Sequence, residues 1–210
     1  MSSPSAHPGR RRSLVRAARL AYGALAVADV LLSASASPGA ARARKVTKPL
    51  LMPALMVGRS APTRRALALS GAGDVALLGS SDAAFTAGLG AFLAGQVAWV
   101  RALHGRGGGL LARRPAVAVP YVVAAVGLNA YLWRRAGKDR LPLAAYSAAL
   151  TSMALAAADT GDPLTAAGGA LFMASDGLIA LDRFGGVRLP AQDAWVMGTY
   201  TAAQALLARD

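Results

Sequence analysis

Eight apolar segments recur along this 210-residue chain, at about 17–36, 46–58, 64–81, 83–103, 116–134, 141–158, 163–182 and 190–208, separated by charged or Gly/Pro-rich punctuation. A helix needs roughly 20 apolar residues to cross a hydrocarbon core about 30 Å thick. Inside lipid every backbone N–H and C=O must find a partner within the protein, which leaves only helices or closed barrels. The apolar positions here are continuous rather than alternating, and Ala and Leu dominate them. That pattern is helical. The expected fold is therefore all-α: a polytopic transmembrane helical bundle of about eight spans. It forms a single domain over residues 17–208, preceded by a disordered basic tail over 1–16.

The charge pattern agrees. All ten acidic residues are Asp, and twenty of the 23 basic residues are Arg. Most of the basic residues sit in the tail and short loops, as in Arg10-Arg11-Arg12, Arg113-Arg114 and Arg134-Arg135. There they can snorkel to headgroups and meet anionic lipid in the bilayer. No basic face is interleaved with stacking aromatics, which argues against a nucleic-acid partner. The absence of Cys excludes thiol catalysis and thiolate metal sites. His7 in a polar tail and His104 beside a Gly-rich loop give no His-based metal centre, so neither metal nor cofactor is expected.

Arg10 to Leu14, the apolar stretch from Leu20 and Ala34-Ser35-Ala36 also resemble an export signal. Asp29 within that stretch favours a retained first span. The expected location is the cell membrane, with the Lys and Arg distribution leaning slightly toward a cytoplasmic N-terminus. Nothing in the sequence specifies an oligomeric state.

Polar residues inside the apolar segments carry the functional information. An ionised Asp near a bilayer centre costs roughly 2.5–3.5 kcal/mol, so such a residue normally faces a cavity, a partner or a substrate. Asp74 and Asp176 each interrupt a long apolar run. If successive spans alternate in direction, Asp29, Asp74 and Asp176, late in odd-numbered spans, lean toward one side of the bilayer. Lys48 and Tyr146, early in even-numbered spans, and Asn129, late in the fifth, lean the same way. Six polar groups at related depth predict one buried pocket. The second segment is short as well as Pro-rich: Val46 to Val57 rises only about 18 Å. It either enters obliquely or carries Lys48 into the membrane.

Several motifs then carry a resemblance. Thr47-Lys48-Pro49-Leu50-Leu51, Gly73-Asp74, Phe85 to Phe92, Leu171 to Asp176 running on to Arg183-Phe184, and Tyr200 with Ala203-Gln204 resemble, in order and spacing, the YhhN-like lysoplasmalogenase family of eight-span membrane proteins. The resemblance implies a hydrolase acting on the vinyl ether bond of a lysophospholipid substrate, releasing a fatty aldehyde and a glycerophospho-alcohol. It implies Lys48, Asp74 and Asp176 as active-site residues, with Tyr200 and Gln204 as further candidates for contact with substrate. Asn129, Tyr146, Asp29 and Gln96 join that candidate set from their positions inside spans. Where the family tends to show Gly-His, this chain has Gly95-Gln96, followed by Trp99.

Vinyl ether cleavage needs an acid to protonate the β-carbon and a negative charge near the resulting oxocarbenium-like cation. Two carboxylates can divide those roles, as they do in glycosidases. The expected assignment is Asp176 as acid and Asp74 as base or cation stabiliser. Lys48 would tune that carboxylate or grip the lipid phosphate. Two other readings fit intramembrane Asp and Lys: a proton-coupled transporter and a lipid-binding protein without catalysis.

Overall fold

In a computed structural model the described residues, 8–209, form nine α-helices, two short 3-10 turns and no strand. The helices are α1 (Pro8–Ser33), α2 (Pro38–Met56), α3 (Ala61–Ala76), α4 (Asp82–His104), the single turn α5 (Leu110–Arg113), α6 (Val119–Leu132), α7 (Arg140–Asp159), α8 (Pro163–Gly185) and α9 (Gln192–Leu207). Four stretches are long and apolar enough to cross a membrane: Asp82–His104, Pro115–Leu132, Gly137–Asp159 and Pro163–Gly185. The chain is an all-α integral membrane protein.

The helix starts are written locally. Ser37, Ser60, Ser81 and Asp162 are N-caps whose side chains accept backbone amides of the first turn, and a proline opens α2 and α8. Such caps satisfy donors that the first turn leaves free, and proline loses no hydrogen bond there. Hydrogen bonds from the Thr165 hydroxyl and amide also hold the Asp162 carboxyl below its usual range. At the other end of α8, Gly186 takes φ 65° and closes the helix in the left-handed conformation.

Packing then closes a ring. α1 contacts α2, α2 contacts α3, α3 contacts α4, α4 contacts α7, α7 contacts α8, α8 contacts α9, and α9 returns to α1. α6 lies outside this ring, against α7 and α8, and only Leu132 of it is buried. Glycines set the approach on α8: a methyl group at Gly169 would lie 2.9 Å from Ala154 Cα on α7. Small residues of this kind let membrane helices pack backbone to backbone.

Two boundaries differ from expectation. The tail expected to be disordered over residues 1–16 is helical from Pro8 onward; residues 1–7 lie outside the described residues. The second helix starts at Pro38, not near Val46, and its 19 residues rise about 28 Å. Lys48 is therefore in mid-helix. Arg42, Arg44 and Lys45, a basic cluster of the kind expected in a short loop, lie within α2; Arg44 turns inward, 3.4 Å from the Asp29 carboxylate, while the Thr47 hydroxyl donates to Asp29 at 2.6 Å.

Candidate active site

Burial along α3 falls on Thr63, Ala66, Leu67, Ser70, Gly73 and Asp74. This is one stripe at helical spacing, so the carboxylate follows the apolar residues into the ring. On α8 the buried stripe runs through Thr165, Gly168, Gly169, Phe172 and Ser175. Asp176 is one position round from that stripe and only part-buried, at its edge. α9 presents Met197, Tyr200, Thr201 and Gln204 inward, and α2 presents Lys48, Leu51, Met52 and Leu55.

These stripes converge. Lys48 Nζ lies 3.5 Å from Asp74 Oδ1, and the Tyr200 hydroxyl donates to Asp74 Oδ2 at 2.7 Å. Tyr200 is itself fixed between the edges of Phe92 and Phe172, with ring centroids 5.9 and 5.5 Å away. On the facing helices the Tyr146 hydroxyl donates to Asp176 Oδ2 at 2.5 Å. A cavity of about 110 Å³ is lined by Lys48, Asp74, Tyr146, Asp176 and Tyr200, with Phe85 and Phe92 among its apolar walls. One lysine balances one carboxylate. Among the described residues no cation is in ion-pair range of Asp176, so its partner is a neutral phenol.

Asp176 also borders a second, apolar cavity of about 460 Å³ between α6, α7 and α8. Leu128, Leu143, Leu150 and Met173 line it, and Asn129 stands on its wall. The Asn129 amide donates to the Ser147 hydroxyl at 2.6 Å and to the Ala125 carbonyl at 2.8 Å, tying α6 to α7. Because α6 packs from outside the ring, this groove lies on the flank of the bundle. Leu143, Tyr146, Asp176 and Ala180 line both the groove and the chamber.

The other residues expected at the site take different places. Gln96 and Gln204 are buried, one helical turn beyond Phe92 and Tyr200 respectively, and do not line the chamber. Each side chain reaches toward a phenol of the chamber, Gln96 toward Tyr146 and Gln204 toward Tyr200, so both stand directly behind the chamber wall. Asp29 is fully buried between α1 and α2, held by Arg44 and Thr47, and it too is absent from the chamber wall.

A family model described as the YhhN family matches residues 43–210. The chain belongs to the YhhN family. All the polar residues described as lining the chamber, Lys48, Asp74, Tyr146, Ser175, Asp176, Arg183 and Tyr200, fall inside the matched span, whereas α1, with Asp29, precedes it. Proteins named lysoplasmalogenase from Mycobacterium bovis and Mycobacterium tuberculosis are 36% identical to this YhhN chain over 132 residues. That stretch is 59% of this chain and 49% of theirs, so the match spans about half the length of these curated relatives. No solved structure matches.

Two features of this YhhN site are not evident in the sequence. The sequence places Tyr146 in the pocket as a candidate for contact with substrate, and packing shows it as the partner of Asp176. The sequence offers Arg183 only within the motif it shares with Phe184, yet it lines the chamber and its guanidinium lies 3.5 Å over the Phe85 ring.

Proposed function

We propose that this YhhN protein is a membrane-embedded ether hydrolase of the cell membrane. It cleaves the vinyl ether bond of a lysophospholipid to a fatty aldehyde and a glycerophospho-alcohol. One observation carries the reading: two carboxyl groups with different partners line one small chamber, and the less buried of them also borders an apolar groove. The curated relatives bear the name of this activity, which supports the same reading.

The alkenyl chain occupies the groove along α6, α7 and α8, which brings the vinyl ether to Asp176. Asp176 gives its proton to the β-carbon, and the carbon–carbon π electrons form the new C–H bond. The positive charge left on the ether carbon and oxygen is stabilised by the ionised Asp74 across the chamber. Asp74 then takes a proton from water as the water oxygen adds to the ether carbon, giving a hemiacetal. In its collapse the bond to the glycerol oxygen breaks as that oxygen takes the proton from Asp74, while the hemiacetal hydroxyl gives its proton to Asp176 and becomes the aldehyde carbonyl, so both carboxyl groups return to their starting states. Lys48 keeps Asp74 ionised, and Tyr146 orients the Asp176 carboxyl through one of its two oxygens. Excluding bulk water strengthens every electrostatic contact in this sequence.

Aldehyde release from purified protein and lysoplasmalogen tests the proposal. Neither a proton-coupled carrier nor a passive lipid-binding protein makes aldehyde, so a folded protein that yields none would overturn it. The groove makes a separate prediction. Ala174 lines it and is exposed to it. Ala174→Phe is expected to raise KM for long alkenyl chains about tenfold or more, while substrates with short chains are affected less. A chain-length series run on both proteins measures the difference.

A further inference from the structure

The chamber adjoins a third cavity of about 410 Å³, and the two share Phe85, Leu89, Leu143, Tyr146, Arg183 and Phe184 as walls. This vestibule lies where α4 and α7 begin and α8 ends. Four charged residues line it: Asp82, Lys138, Asp139 and Arg183. Arg183 is the one that also lines the chamber.

Its surroundings suit it to take an anion. The guanidinium lies 3.5 Å over the Phe85 ring and 5.9 Å from that of Phe184. No carboxylate is in ion-pair range of it among the described residues; the adjacent Asp182 pairs with Arg188 instead. The Phe85 ring holds the guanidinium, and among the described residues no hydrogen bond claims its N–H groups, which can therefore recognise a phosphate in two-point fashion. With two acids and two cations the vestibule is neutral as a whole. The held guanidinium, not a general positive potential, singles out the anion.

Spacing along α8 agrees. Arg183 is two turns beyond Asp176 on the same face, a rise of about 10 Å. In an extended lyso-ether lipid the protonated carbon and the phosphorus are about 9 Å apart. A lipid with its vinyl ether at Asp176 and its chain in the groove therefore brings its phosphate to the vestibule.

We infer that Arg183 is the specificity-determining residue of the proposed hydrolase: it binds the phosphate of the substrate headgroup, with Lys138 as a second cation on the same rim. The inference rests on the proposed function for the placement of the lipid, but its test needs no turnover. A saturated 1-O-alkyl lysophosphoethanolamine has no double bond to protonate. Its affinity for the full chain in maltoside detergent is compared with that of the 1-O-alkylglycerol of equal chain length.

Wild type is expected to bind the phospholipid at least about tenfold more tightly, and Arg183→Gln to lose most of that preference. If size exclusion shows that Arg183→Gln does not fold, Arg183→Lys is measured instead and should lose part of the preference with its fork. Equal affinities in wild type, or an undiminished preference in the folded variant, would overturn the inference. Failure of the parent reading looks different: no aldehyde from the vinyl ether lipid, with the phosphate preference intact.

Discussion

Asp176→Asn is expected to lower kcat for aldehyde release by about 10²–10⁴-fold, the usual contribution of a positioned general acid. The amide has no proton acidic enough to deliver to carbon. Its carbonyl oxygen can still accept the Tyr146 hydroxyl that now donates to Asp Oδ2 at 2.5 Å, so the local packing of α7 against α8 survives. KM should change little, because the groove and the vestibule are untouched. Initial rates with purified wild type and variant, alongside their thermal unfolding in detergent, separate lost chemistry from lost structure. A folded Asp176→Asn protein with full activity would remove Asp176 from the mechanism.

Lys48→Met is expected to have the largest effect on stability. Asp74 is 1% exposed and Lys48 is the cation paired with it, at 3.5 Å. Removing one partner of a buried pair leaves an uncompensated charge, at a typical cost of about 3–5 kcal/mol. Adding Asp74→Asn removes the stranded carboxylate as well. The double variant should regain most of the stability, with the Tyr200 hydroxyl still able to donate to the amide oxygen, yet release no aldehyde. A cycle of the two single variants and the double, read by unfolding and by activity, measures the coupling directly. Additive effects on stability would mean that the two side chains do not act as a pair.

The parts of this protein that were legible in its sequence are those governed by the bilayer. Apolar segments of spanning length locate the long helices, and the cost of a carboxylate in lipid picks out Asp74 and Asp176 before any packing is known. Lys48 was equally visible as the rare lysine of an apolar stretch. What stayed hidden depends on which helix faces which. Asp29 has the same local signature as Asp74, but α1 and α2 meet so that Arg44 and Thr47 satisfy it away from the chamber. Arg44 belongs to a basic cluster with the local pattern of a loop, although α2 already begins at Pro38. Tyr146 and Arg183 gain their roles from contacts across the ring, with Asp176 and Phe85, which no local pattern encodes.

The groove was likewise beyond sequence patterning. α6 is more apolar than α7 or α8 and is so on every face, but that pattern does not say which helices it packs against or that the others close a ring without it. That placement gives Asp176 two faces: one toward Lys48, Asp74 and Tyr200, the other toward a space shaped for a hydrocarbon chain. A carboxyl set between a polar chamber and an apolar groove suits a reaction that places a proton on carbon.

Hydrolysis of a vinyl ether lysophospholipid in D₂O tests that proton transfer most directly, with the released aldehyde reduced at once to its alcohol and read by mass spectrometry. Protonation of the β-carbon by Asp176 predicts a single deuterium on the carbon next to the former aldehyde carbon, and a slower rate than in H₂O. An alcohol with no deuterium at that carbon would contradict the account, because the ether would then have been broken without protonating the double bond.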